Sequence, residues 1–423
     1  MSEIDTDKSG QGGVSDRDLA ILERQLGLDE ASTIREFHST ISTDAIRNYA
    51  ESIGDNNPLY LDENYAKGTR WGKSVAPQIM MAITNAPLLG NRIPDDIRSP
   101  TTGMFQGCWP FVSGGTWTWY RPIYAGDTLY SFEGEESIEV KPSKFGGKTL
   151  HSYRRYVKFN QRGEIVGIYR RLVIVAEKSA AKKNKKYTEL EPASYTEDEI
   201  QAIDQHYLNE RCAGADSQAW DDVEIGDALP VLKKGPLTTT DIILVHCAGY
   251  GWSPNRMLAT GRLAALDRKE KPQRYPRNKQ GAPDTNARVH WEQDLAESVG
   301  NPLPYDWGVQ REFWLHHAIT DWMGDDGFVI KQRDEIRGFN YIGDLQTFSG
   351  EVIRKYQEDG MNLVDIKVEA TNQRGTRTAL AEATVSLPSK DGSLSAFPEP
   401  PKDLQRAALD YLARHNQLRQ KKV

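Results

Sequence analysis

Apolar positions along this chain follow two periods in alternating blocks. Ile46, Tyr49 and Ala50 share one face of a short helix. Ser42 or Thr43 stands at its start, able to accept unpaired N–H groups. Two longer apolar stretches read as helices, one from Gln78 to Leu89 and one from Val309 to Met323. The second would bury Phe313, Trp314, Ile319 and Trp322. Period-two stretches come after each helix. Thr116-Trp117-Thr118-Trp119-Tyr120 alternates, Leu172 to Val175 is continuously apolar, and Val364, Ile366 and Val368 share one strand face. Gly126-Asp127, Arg162-Gly163, Gly343-Asp344 and Arg374-Gly375 read as turns. One long helix followed by a run of antiparallel strands is an α+β arrangement.

The pattern occurs twice. Ser42-Thr43-Asp44-Ala45-Ile46 answers Thr239-Thr240-Asp241-Ile242-Ile243, and Tyr65-Ala66 answers Leu295-Ala296. Tyr124-Ala125-Gly126-Asp127 answers Tyr341-Ile342-Gly343-Asp344, and Asn160 to Gly163 answers Asn372 to Gly375. Matches in the same order point to a duplicated domain, and a chain of 423 residues suits two cores. The expected division is an N-terminal extension (1–29), a first domain (30–178), a linker (179–222), a second domain (223–390) and a helical tail (391–423). In the linker, Lys182 to Lys186 reads as a solvated charge run, and Thr196-Glu197-Asp198-Glu199 as a capping box opening a helix to about Asn209. The tail helix, Lys402 to about Arg419, is expected to pack across the linker.

Composition narrows the function. The net charge of −7 argues against a nucleic-acid-binding field. Cys108, Cys212 and Cys247 lack metal or disulfide spacing, which fits a reducing cytoplasm. The first residues hold no apolar signal core, and no run of apolar residues is long enough to span a membrane.

The chemistry rests on two incomplete motifs. Gly54-Asp55-Asn56-Asn57-Pro58-Leu59-Tyr60-Leu61-Asp62 resembles the Gly-Asp-x-Asn-Pro-Leu-His-x-Asp signature of MaoC-like (R)-specific enoyl-CoA hydratases, with Tyr60 in the place of the His. His290-Trp291-Glu292-Gln293-Asp294-Leu295-Ala296 keeps the His, the acid and the Ala, but not the evenly spaced Asp. The resemblance implies a tandem, or double, hot-dog fold, in which each half wraps an antiparallel sheet around a long helix. It also implies reversible addition of water to a trans-2-enoyl-CoA to give an (R)-3-hydroxyacyl-CoA, with no metal and no cofactor beyond the coenzyme A of the substrate.

Such hydration needs a base for water, a proton for the α-carbon and a donor for the thioester oxygen. In the family, the motif Asp and His grip the water and a Gly at the start of the long helix supplies the N–H. Carried over, Asp55 and Asn57 match in the first half. Tyr60 is a poor base, because a phenol titrates near 10. The first helix starts Ala76-Pro77-Gln78, without the Gly. In the second half His290 matches the His and Gly308 the oxyanion Gly. Trp252 falls opposite Asp55, and an inserted segment, Asn255 to Arg288, offers Asp284 six residues before His290. Asp284 reads equally as a turn residue after Pro283. The second half is the favoured working half. One of His316 and His317 is expected to face the core and the other solvent.

Arg256, Arg262 and Arg288 in the insert are candidates for clamping coenzyme A phosphates, against the plain reading of a solvated loop. Two rivals stand. A hot-dog thioesterase would use a carboxylate on the long helix, Glu312. A non-catalytic acyl-CoA-binding subunit would carry damaged motifs of this kind. An acyl-CoA ester is the expected partner, with neither nucleic acid nor membrane. A sheet edge in each half invites a homodimer.

Overall fold

The structure, a computed structural model, describes residues 13–97, 104–105, 107–142, 148–177, 190–249 and 257–421. The Lys182–Lys186 run, Trp252 and Arg256 lie outside the described residues.

One antiparallel sheet of ten strands runs through both halves. The first half contributes β1 (Glu30–Ala31), β3 (Cys108–Trp119), β5 (Tyr130–Pro142), β6 (Lys148–Phe159) and β7 (Ile165–Glu177), while β2 (Val75–Ala76) and β4 (Ile123–Tyr124) pair apart from it. The second half contributes β8 (Leu232–Lys234), β9 (Phe328–Ile336), β10 (Gln346–Glu358), β11 (Met361–Asn372) and β12 (Arg377–Ser386). The halves join edge to edge, β3 against β9, from Gly114 opposite Glu335 to Thr118 opposite Lys331. Gly114 has φ +104°, and a Cβ there would lie 2.1 Å from the Asp334 carbonyl oxygen, so the crossing admits only glycine. The sheet edges expected to invite a dimer are therefore partly spent inside the chain. The two outer edges are met by the short strands β1 and β8.

The repeated sequence landmarks meet each other in space. Asp127 accepts the Tyr124 N–H at 3.0 Å and the Gln161 amide at 3.1 Å, with Arg162 at 3.3 Å. Asp344 accepts the Tyr341 N–H at 3.1 Å, the Gln373 amide at 3.0 Å and the Arg374 guanidinium. Each half thus closes its sheet with the same aspartate lock between two turns.

The helices are α1 (Asp16–Glu23), α2 (Thr43–Ser52), α3 (Pro58–Leu61), α4 (Glu63–Gly68), α5 (Glu197–Leu208), α6 (Thr239–Cys247), α7 (Arg262–Glu270), α8 (Gln293–Ser298), α9 (Gly308–Met323) and α10 (Lys402–Gln420). Ser42 caps α2 through the Ala45 N–H, and the Thr196–Glu199 capping box opens α5. The two long central helices differ. α9 is complete and buried from Val309 to Met323. The expected helix from Gln78 to Leu89 is instead a 3-10 turn, Gln78–Ile83, followed by extended chain. Pro87 lacks the N–H a helix needs and turns its predecessor away from helical geometry. The tail helix α10 also departs from expectation. It covers the outer face of the first-half sheet, where Leu404 and Ala408 pack with Val157 and Phe159, and Tyr411 stacks on Phe132 at 4.8 Å.

Gln78 ties the halves together. Its buried amide donates to the Val329 carbonyl at 2.8 Å and accepts the Val329 N–H at 3.1 Å, while its own carbonyl takes Trp119 Nε1 at 3.0 Å. Gln78→Met would leave both Val329 groups buried and unpaired. A loss of about 2–4 kcal/mol is expected, read from urea unfolding midpoints at unchanged slope. A loss below about 1 kcal/mol would mean water replaces the amide.

Candidate active site

The site builds up around the N-terminus of α9. His290 ends a 3-10 turn, Asn286–His290, that Thr285 caps. Its ring lies 3.8 Å from that of Trp307, the residue that precedes α9, and its Nδ1 sits 2.8 Å from the Tyr305 carbonyl. That contact places the ring proton on Nδ1 and leaves Nε2 as the acceptor. Burial pushes the imidazole down to about 4, so it is a neutral base through the physiological range.

Gly308 opens α9, whose first turn no side chain caps. Its leading N–H groups thus lack a side-chain acceptor, and the helix dipole strengthens them as donors. A side chain at Gly308 would press on the Val112 carbonyl at 3.2 Å. Val112 and the next helical residue, Val309, line a cavity of about 260 Å³. This cavity occupies the hollow beside the shortened 3-10 turn. Met81, Ile83 and Asn85 border it on that side, and Trp117, Arg154, Tyr156, Lys158, Tyr169 and Arg171 on the sheet side.

Asp284 does not complete an Asp–His pair with His290. Its half-exposed carboxylate accepts the Thr285 N–H at 2.7 Å and lies 3.5 Å from Arg288 Nε. Arg288 is buried, bound to Glu292 and to the Thr285 and Pro276 carbonyls at 3.1 and 3.0 Å. Its donors hold the inserted segment together and are not presented to a phosphate. Arg262 is the exposed first residue of α7.

The first-half motif has another role. Asp55 is buried, accepts the Asn57 N–H at 3.0 Å, and faces His317 Nε2 of α9 at 3.6 Å. Asp321, one turn on, stands 3.0 Å from the same nitrogen. The imidazole missing at Tyr60 is thus supplied to Asp55 by the other half. Both His316 and His317 are buried, because α9 is enclosed all round; the expectation that one meets solvent fails for that reason. Asn57 caps α3 through the Leu59 N–H at 2.9 Å, and Asp62 caps α4. Tyr60 borders a cleft of about 20 Å³, room for a water and no more. Burial and the nearby Asp55 push its phenol further up. Burial lowers His317 to about 4 and raises Asp321 to about 7. By donor type Asp55, His317 and Asp321 suit a divalent cation, with ligand atoms within 4.8 Å of one another. The buried Lys234 ammonium, 2.7 Å from the Gly54 carbonyl, opposes one.

Glu312 lies in the second turn of α9, fully buried, accepting Trp117 Nε1 at 2.8 Å and the Tyr169 hydroxyl at 3.3 Å. Burial raises it to about 7. It is held beneath two residues that line the cavity and does not line it. The cavity's strand residues were not singled out in the sequence. The available signal was Arg154, Tyr156 and Lys158 at period two, opposite Val157 and Phe159. Without the tail helix in view, that pattern assigns the apolar set to the interior.

Comparisons with known proteins agree with this layout. Residues 31–168 match the family model of the FAS1-like dehydratase domain region. A solved MaoC-like dehydratase superposes over 86% of this chain and 99% of its own, with a TM-score of 0.56 and 17% identity. The likeness is one of fold: the tandem hot-dog arrangement is that of a MaoC-like dehydratase. A MaoC domain dehydratase from Chloroflexus aurantiacus covers 86% of this chain and 96% of its own, at a TM-score of 0.50 and 14% identity. A Thermomonospora curvata protein named "Probable enoyl-CoA hydratase alpha subunit" is 29% identical over 172 residues, 37% of this chain. The chain spans about half (52%) of the length of that relative.

His290 gives a spectroscopic prediction. Unfolded chains protonate histidine below about 6.5, whereas the folded imidazole resists until about 4, so its burial costs stability as pH falls through that window. Nitrogen-15 NMR at about pH 5.5 should show a neutral His290 protonated at Nδ1. An imidazolium signal there would overturn its assignment as a neutral base.

Proposed function

We propose that the chain is an acyl-CoA hydratase/dehydratase that works in its second half, adding water reversibly to a trans-2-enoyl-CoA to give an (R)-3-hydroxyacyl-CoA. The carrying observation is the neutral, carbonyl-oriented His290 packed against Trp307, the residue that leads into Gly308. His290 Nε2 takes a proton from water as the oxygen bonds to the β-carbon. The electron pair moves to the thioester oxygen, which the Gly308 N–H and the helix dipole receive. The proton then passes to the α-carbon, and dehydration reverses each step. The Tyr305 carbonyl fixes the tautomer and orientation of the imidazole. No metal or redox step is invoked, and coenzyme A enters as part of the substrate.

The family match over the first half and the hydratase name of the T. curvata relative support this reading. The thioesterase alternative has less support, because Glu312 is occupied by Trp117 and Tyr169 and lies off the cavity lining.

Loss of enoyl-thioester ultraviolet absorbance over a panel of enoyl-CoAs tests the proposal. His290→Ala should lower kcat/KM by about 10²–10⁴. Asp284→Asn should change it by less than about threefold, since that carboxylate faces Arg288. Activity that survives His290→Ala and vanishes in Asp55→Asn would move the chemistry to the first half. Release of free thiol without hydration would favour a thioesterase.

A further inference from the structure

We propose that the acyl group received by this cavity carries a carboxylate, which docks on the Lys158 ammonium. The inference rests on the preceding reading that the ligand is an acyl thioester.

The lining of the cavity carries the argument. A site for a plain alkyl chain is walled by apolar side chains, because a buried charge facing hydrocarbon loses its water without replacement. Here Arg154, Lys158 and Arg171 line the cavity with Glu36 and Glu133, three cations against two anions. Two of the cations have partners of their own. Arg154 bonds Glu135 at 2.8 Å and Glu133 at 3.4 Å, and Arg171 donates to the Tyr156 hydroxyl at 2.7 Å.

Of the three cations lining the cavity, Lys158 is the buried one. Its ammonium is buried and donates to two neutral acceptors, the Thr84 carbonyl at 2.8 Å and Asn85 Oδ1 at 3.1 Å. The charges of Glu36 and Glu133 on the same lining also favour the ammonium, while its hydrogen bonds go to neutral groups. An ammonium has three donors, so one remains. Burial lowers the amine to about 8, which still leaves it charged at neutral pH. A fixed, desolvated cation with a spare donor in a cavity of net positive lining is completed by an anion.

Val309, next to Gly308, borders the same cavity. A thioester oxygen held at the helix start thus leaves its acyl chain a route toward Lys158. The pairing sets specificity, because an uncharged chain would leave Lys158 only the charges of Glu36 and Glu133, whereas a carboxylate-ended chain accepts its remaining donor directly.

Calorimetric binding of two unreactive pantetheine thioesters, butyryl and succinyl, to the full chain tests this. They share chain length, lack the phosphates of coenzyme A, and differ in the terminal carboxylate. The succinyl ester should bind about tenfold more tightly or better, and Lys158→Gln should abolish that preference while leaving butyryl affinity within about twofold. Gln keeps a donor for Thr84, and Lys158→Arg, which retains the charge, should retain the preference. Equal or tighter butyryl binding by the wild type, or a preference that survives Lys158→Gln, overturns the proposal. So does an equal weakening of coenzyme A itself by Lys158→Gln, which would make a phosphate the anion. A succinyl preference without any hydration of enoyl esters sustains this inference while the hydratase reading fails. Binding of neither ester removes both.

Discussion

The structure depends on enclosing one polar helix. From Val309 to Met323 every residue of α9 is buried, including Arg311, Glu312, His316, His317 and Asp321. Each buried polar group must find a partner or forfeit its hydration. The partners come from both halves. Glu312 takes Trp117 and Tyr169 from the first-half sheet, and His316 meets Gln332 at 2.8 Å on β9. Arg311 pairs with Asp306 at 2.9 Å, and His317 faces Asp55. The halves are therefore joined through the chemistry of one helix as well as through the β3–β9 seam.

Duplication followed by divergence accounts for the rest. Both halves keep the aspartate lock that closes the sheet, in which a buried carboxylate, Asp127 or Asp344, gathers donors from two turns. They differ at the central segment, a 3-10 turn in the first half and a full helix in the second. Pro87 and the extended chain after Ile83 leave a hollow where the second half has helix. The half that lost its motif imidazole contributes the cavity. The half that kept its imidazole and its helix-start glycine carries the complete central helix. In the first half Asp55 and Asn57 bond their own turn, Asp62 caps α4, and Asp55 faces His317.

Read one residue at a time, the candidate site was partly legible. His290 and Gly308 stood out by spacing, and the structure brings His290 against Trp307 at the head of the helix that Gly308 opens. Asp284 and Arg288 were drawn from the same insert by residue type alone. Their mutual attraction and the Glu292 carboxylate decide where they point, which no count of residues conveys. Lys158 was invisible because a lysine on an alternating strand reads as solvent-facing until something covers the opposite face.

By itself, the sequence determined the duplicated α+β plan, the caps of α2 and α5, the turns built on Asp127 and Asp344, and the span of α9. All of these follow from interactions over a few residues, or from periodicity that a helix or strand imposes on its own side chains. Only the tertiary structure decided which face of β6 looks inward, where the tail helix lies, and that Asp55 takes its imidazole from residue 317, 262 positions away (317 − 55). Those outcomes depend on which surfaces remain uncovered once both halves have closed around one helix. That is a property of packing, and local pattern does not encode it.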